Sequence, residues 1–177
     1  MEAIVPDVLD VAPPSGKLEV KYPTGVVVQT GNELTPTQVK DEPSVSWAAE
    51  STDALYTLLM VDPDAPSRAQ PTFREILHWA VVNIVGNQLA SGDTLAEYVG
   101  SGPPEGTGLH RYIFLLYRQS ARVEEDMRIG KRTRDGRFNF SVRKFAAKHG
   151  LGQPIAGSFY EAQYDDYVAI RNKEFAK

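Results

Sequence analysis

The feature that constrains the fold most is an unbroken apolar run that ends abruptly in a proline-rich turn. Residues 55–61 read LYTLLMV, a run long enough for a strand that is buried on both faces. Residues 62–67 then read DPDAPS, and proline cannot donate a hydrogen bond within a sheet. The pattern therefore predicts a central strand that stops at Asp62 and carries two carboxylates, Asp62 and Asp64, to its end.

Strand patterns dominate the rest of the chain, and helical patterns are confined to its C-terminal third. Strong strands are predicted at 76–85 and 112–117, with weaker alternating ones at 17–22, 26–30, 44–48 and 155–163. Helices are predicted at 141–149, with Ser141 as a cap, and at 167–175. Segments 86–95 and 98–109 are predicted to be long functional loops.

This balance of elements predicts a mainly β fold, α+β at the margin, of β-sandwich type with peripheral helices. A chain of 177 residues can bury one sizeable core, so we expect a single domain covering residues 1–177.

Composition excludes several classes of protein. The chain has no cysteine, which rules out disulfides and cysteine-ligated zinc. Its net charge of −4 argues against generic nucleic-acid binding and against adsorption to anionic lipid by charge alone. The first ten residues do not resemble a signal peptide, and no apolar run approaches the ~20 residues of a membrane span. We therefore expect a soluble cytoplasmic protein with at most peripheral membrane contact.

Candidate site residues lie in three segments. Asp62 ends the first strand, His78 lies inside the apolar segment 76–85, and His110 follows a loop with four glycines, GSGPPEGTG. Glycines let the backbone approach a ligand and present N–H groups to an anion. If the strands are neighbours, these segments form an oxyanion site. Each also has an ordinary structural interpretation, namely a strand-end turn, a buried core histidine and a flexible loop.

The common catalytic patterns are missing from this sequence. It has no GxSxG elbow, no complete GxGxxG, no Walker lysine after a glycine loop and no HExxH. We therefore predict no catalytic residues, no metal and no cofactor. A mononuclear metal site formed by Asp62, His78 and His110 stays open as an alternative, and with it a histidine- or metal-dependent hydrolase of phosphate esters.

Four longer motifs carry a resemblance to a known family. LYTLLMVDPDAPSR, FREILHWAVVNIVGN, YVGSGPPEGTGLHRYIFLLY and PIAGSFYEAQYDDYV resemble the phosphatidylethanolamine-binding proteins, which include the Raf kinase inhibitor proteins and plant flowering-time regulators. The resemblance implies a large central β-sheet packed on a smaller one, with short helices on the C-terminal side. It also implies a pocket for phosphate-type anions and a cis bond between Ala65 and Pro66.

The resemblance also implies which residues form this pocket. They are the following: Asp62, Pro66, His78, Gly102, Pro103, His110 and Tyr112. Two positions depart from the family pattern, since Ile76 and Asn172 stand where aromatic residues are common. Loss of an aromatic face would weaken contact with a head-group cation by ~0.5–2 kcal/mol.

The predicted function is therefore binding of a phosphate-bearing small molecule or phospholipid head group. Regulation of a protein kinase or a serine protease is the expected role. We expect His78 and His110 to donate hydrogen bonds to the anion, so that binding strengthens as pH falls through about 6.5.

Overall fold

The computed structural model describes residues 1–14 and 16–175. Its strands, in chain order, are β1 (Glu19–Lys21), β2 (Asn32–Glu33), β3 (Ser44–Ser46), β4 (Leu55–Asp62), β5 (Ile76–Val85), β6 (Asp93–Ala96), β7 (His110–Gln119) and β8 (Ala156–Ala162). The helices are α1 (Val142–Lys148) and α2 (Tyr167–Asn172), with short 3-10 turns at Glu2–Ile4 and Leu89–Ser91.

The strands form a large sheet and a small one. The large sheet has six strands in the order β2-β8-β7-β4-β5-β6, and the small sheet pairs β1 with β3. Only β2 and β8 pair in parallel within the large sheet. The predicted architecture, mainly β with a large and a small sheet and short helices in the C-terminal third, is confirmed.

Strand β4 lies in the middle of the large sheet and is covered on both faces. Its residues Tyr56, Leu58 and Met60 enter one hydrophobic core, whereas Leu59 and Val61 enter a second core on the opposite face. Because side chains alternate between the faces of a strand, burial of both faces requires a continuous apolar run. This is the physical origin of the LYTLLMV pattern.

Two predicted segments differ from the structure. Residues 26–30 form no strand beyond one isolated bridge between Val27 and Lys21. Residues 86–95 are not a long loop, because they contain the 3-10 turn Leu89–Ser91 and the start of β6. Helix α1 is confirmed, and the Ser141 side chain caps it by accepting a hydrogen bond from the backbone N–H of Lys144.

The order of the strands brings three chain segments to one edge of the large sheet. Asp62, at the end of β4, is paired with Ile76 at the start of β5, and Val61 is paired with Ile113 near the start of β7. Since β4 is antiparallel to both neighbours, its end lies beside their beginnings. Neither of the described α-helices is long and apolar enough to cross a membrane.

Candidate functional site

A cavity of about 320 Å³ lies at this edge of the large sheet. The residues that line it come from five parts of the chain: Asp62, Ala65, Pro66, Phe73, Ile76, Leu77, His78, Val99, Gly102, Pro104, His110, Tyr112, Arg134, Arg137, Phe138, Arg171, Asn172 and Phe175. Six of the seven residues predicted for the pocket are among them.

The exception is Pro103. It is buried in the protein interior, whereas the neighbouring Pro104 is exposed and lines the cavity in its place. The bond between Ala65 and Pro66 is cis, as the resemblance implied.

Asp62 and His110 form a buried hydrogen-bonded pair at the base of the cavity. Asp62 Oδ2 lies 2.9 Å from His110 Nδ1, and Asp62 Oδ1 accepts from the backbone N–H of Asp64 at 2.7 Å. The Thr107 hydroxyl donates to the Pro104 carbonyl, so the 2.9 Å contact with His110 Nε2 requires the histidine to donate.

The pair therefore carries no net charge. His110 Nε2 carries one proton, and a second proton lies in the hydrogen bond between Asp62 and His110 Nδ1. This second proton belongs either to the histidine, which gives an ion pair, or to the carboxyl group, which gives two neutral groups. In both cases the charges of the two residues sum to zero. Burial raises the pKa of Asp62, and the hydrogen bond and charge of His110 act against that rise.

His78 is held in the neutral form. Its Nδ1 lies 2.7 Å from the carbonyl oxygen of Val99, which can only accept, so Nδ1 carries the proton. Burial, reinforced by the charge of Arg171, lowers the pKa of His78 to about 3. At neutral pH Nε2 is thus an acceptor, which argues against the prediction that His78 donates to an anion.

Arg111 follows His110 directly but takes no part in the cavity. Its backbone N–H and Nε donate to Asp64 Oδ2, each at 2.9 Å, and Nη2 donates to Asp64 Oδ1 at 2.8 Å. Both side chains are fully enclosed. Burial would raise the pKa of Asp64, but the hydrogen bonds from Arg111 outweigh it and lower that pKa. Alternation along β7 explains why neighbours in sequence serve opposite faces.

Sequence reasoning missed the cationic residues of the cavity. Arg134, Arg137 and Arg171 all line it, and Asp62 is the single carboxylate among its described lining residues. Within the helix predicted at 167–175, Arg171 and Phe175 are four residues apart and would share one face, and this spacing was a usable signal.

The cavity has aromatic residues in spite of Ile76. Phe73 and Phe138 lie at its mouth with ring centroids 5.4 Å apart, and both are exposed. Phe175 has the guanidinium groups of Arg134 and Arg171 each 4.8 Å from its ring centroid. The aromatic face nearest the cationic residues is therefore already engaged by the protein's own cations.

Asp62, His78 and His110 do not form a metal-binding cluster. Among residues 1–14 and 16–175, no three His, Cys, Asp or Glu side chains are grouped so that they could hold a metal ion.

Comparison with known proteins identifies related chains. The family model described as "Phosphatidylethanolamine-binding protein" matches residues 24–161. The Drosophila melanogaster protein named "Putative odorant-binding protein A5" is 37% identical over 166 residues, which are 93% of this chain and 78% of that protein.

Two solved structures extend this similarity. The solution structure of CG7054 is 60% identical, covers 100% of both chains and has a TM-score of 0.80. A carboxypeptidase Y inhibitor, in complex with its cognate proteinase, is 28% identical over 93% of this chain and 92% of its own, with a TM-score of 0.76. Of these names, that of the Drosophila melanogaster protein denotes a binding protein and that of the second structure denotes an inhibitor. The chain belongs to the phosphatidylethanolamine-binding protein family.

Proposed function

We propose that this protein binds the phosphate group of a small molecule or phospholipid head group in the cavity, and that it acts by binding, not by catalysis. The observation that carries the proposal is the convergence of Asp62, His78, Gly102 and His110, from three separate segments, on one cavity. Family membership supports the same ligand class.

The local charge also supports an anionic ligand. The whole chain has a net charge of −4, yet three arginines line the cavity, and Asp62, the single carboxylate among the described lining residues, is compensated by His110. A concave site with excess positive charge concentrates anions from solution.

A calorimetric titration with O-phosphoethanolamine tests this proposal. We expect saturable heat for the wild type, loss of that heat for His110→Ala, and unchanged heat for the control His149→Ala, which lies at the end of α1 and outside the cavity. Equal heats for the two variants would refute the site. Release of inorganic phosphate during the titration would instead favour the hydrolase alternative.

A regulatory role through a protein partner is a second part of the proposal. It is favoured by the 28% identity to a carboxypeptidase Y inhibitor that was solved with its proteinase. We infer that a serine protease or a protein kinase is the partner class. Titration of carboxypeptidase Y with this protein should lower peptidase activity in proportion to the protein added; constant activity in a large excess of protein would argue against this partner.

A further inference from the structure

The histidines of the cavity do not supply its positive charge. The Asp62–His110 pair is neutral overall, and His78 is a neutral acceptor whose Nδ1 proton is used by Val99. Among the described lining residues, the net positive charge therefore comes from the three arginines.

Arg137 cannot donate to a ligand, because all of its donors are used. Its five N–H groups are directed at backbone carbonyls, namely those of Leu77, His78, Glu97, Gly130 and Thr133. An arginine has five such donors, so none is left over. Arg137 therefore has a structural role, because its hydrogen bonds join β5 to the segment around Gly130.

Arg134 lies at the rim of the cavity and is exposed. Its Nη2 donates to Asn172 Oδ1 at 3.4 Å, and its guanidinium lies over the ring of Phe175. An exposed charge is screened by water and salt, so Arg134 contributes less to the binding of an enclosed anion than a sheltered arginine would.

Arg171 lines the cavity and has donors that no described protein group uses. Its Nη1 donates to Asn172 Oδ1 at 2.9 Å, whereas its buried Nε has no hydrogen-bond partner among the described residues. Nη2, on the same edge of the guanidinium, also makes no hydrogen bond to the described protein groups. A buried donor without a partner is rare and costly in a folded protein, and a phosphate oxygen would satisfy it.

Gly102 provides the surface on which this guanidinium lies. A Cβ atom at position 102 would overlap Nη1 and Cζ of Arg171. This close approach gives a physical reason for glycine in the GSGPP motif. Nε of Arg171 would lie 2.9 Å from the same Cβ atom, so the guanidinium packs against the backbone of Gly102.

We propose that Arg171 is the residue that pairs with the bound phosphate, and that it makes the site selective for a doubly charged phosphate monoester over a singly charged diester. This inference rests on the proposed function. Two parallel N–H donors match two oxygens of one phosphate group. A second ligand charge increases the Coulomb attraction, and a monoester carries it at neutral pH whereas a diester does not.

The surroundings favour this choice over recognition of a head-group cation. Asp62 is the one carboxylate in the part of the lining that the structure describes, and it is already paired, while the ring of Phe175 is covered by two guanidinium groups. The described lining offers an ammonium group no uncompensated carboxylate, and partners such as His78 Nε2 and the rings of Phe73 and Phe138 are neutral. The monoester can come from a soluble metabolite or from phosphatidic acid in a membrane.

The test compares wild type, Arg171→Gln and the charge-matched control Arg132→Gln, which changes an exposed arginine that does not line the cavity. Affinities for O-phosphoethanolamine and for glycerophosphoethanolamine, a diester, are measured by calorimetry. We expect Arg171→Gln to lose about 10- to 100-fold in monoester affinity and much less in diester affinity. Arg132→Gln should match the wild type, and Arg171→Lys should recover only part of the loss.

Two further measurements distinguish ligand pairing from a structural role. The ¹⁵N Nε–H signal of Arg171 should shift when O-phosphoethanolamine is added. Gly102→Ala should weaken monoester binding, with little added effect of Arg171→Gln, because both changes remove the same contact. Thermal unfolding of each variant verifies that it is folded.

The outcomes separate the two proposals. No monoester binding by the wild type would refute the proposed function itself. Monoester binding that is equal in Arg171→Gln and Arg132→Gln would overturn the role of Arg171 alone. Sedimentation with phosphatidylcholine vesicles containing phosphatidic acid distinguishes a lipid from a soluble ligand. Binding to these vesicles that depends on Arg171 supports a lipid ligand. Binding of O-phosphoethanolamine without binding to the vesicles supports a soluble metabolite.

Discussion

At the scale of single residues, the protonation of buried side chains decides what the cavity can bind. His78 looks from sequence like a cationic donor, but its place between Val99 and two arginines makes it a neutral acceptor. Sequence could place the histidine in a buried strand but could not supply its partner, because the Val99 carbonyl belongs to a different segment of the chain.

We predict that His78 does not titrate in the physiological range. Burial stabilises the neutral imidazole, so its ring signals in a ¹H–¹⁵N spectrum should show the Nδ1–H tautomer unchanged from pH 8 to pH 5. The pKa of about 3 places protonation well below that interval. A titration centred near 6.5 would contradict the assignment.

Glu75 gives a second prediction at this scale. The residue is buried, and its Oε1 accepts from the backbone N–H of Val142 at 3.0 Å, at the start of α1. Burial raises its pKa from 4.5 to about 7, although that hydrogen bond acts in the opposite direction. In the unfolded chain the carboxyl therefore ionises at lower pH than in the folded protein.

The stabilising contribution of protonated Glu75 is thus full below about pH 4.5 and is lost as pH rises to about 7. Glu75→Gln keeps the acceptor for Val142 and removes the titration. We expect the variant to gain up to ~3 kcal/mol relative to wild type across this interval, measured by urea unfolding. A difference in stability that does not change with pH would contradict the prediction.

At the scale of elements, the turn after β4 is fixed by an ion pair to β7. Asp64 is fully buried and receives three hydrogen bonds from Arg111, whose Nη2 also reaches Asp7 Oδ2 at 3.0 Å. The pair holds the end of β4 beside the start of β7, and so positions Asp62 next to His110.

Removal of Asp64 should therefore destabilise the fold. Asp64→Ala leaves the guanidinium of Arg111 buried with only the half-exposed Asp7 as a counter-ion, so we expect a loss of ~3–5 kcal/mol in the free energy of unfolding. The exposed Asp135→Ala is the control and should change it by less than ~0.5 kcal/mol. Equal stability of the two variants in urea unfolding would contradict the role of the pair.

The central strands could be predicted from sequence because their burial leaves a direct pattern. Strands β4, β5 and β7 are long and apolar, and each was predicted within two residues of its bounds. The segment 86–95 was mispredicted because β6 is short and is defined by its pairing with β5, which is a contact outside the segment.

At the scale of the whole molecule, the candidate site is a product of topology. Antiparallel pairing of β4 with β5 and β7 gathers Asp62, His78 and His110, which are distant in sequence, at one edge. The motifs identified these residues. They could not reveal that α2 carries Arg171 onto Gly102, since packing of a short helix over a cavity leaves no local pattern.

The most direct test of the central claim is a crystal structure of the protein grown with O-phosphoethanolamine. We predict a phosphate in the cavity, with oxygens within hydrogen-bonding distance of Nε and Nη2 of Arg171 and beside Gly102 and His110. An empty cavity in crystals saturated with the ligand, or a phosphate bound only at the outer surface, would contradict the account.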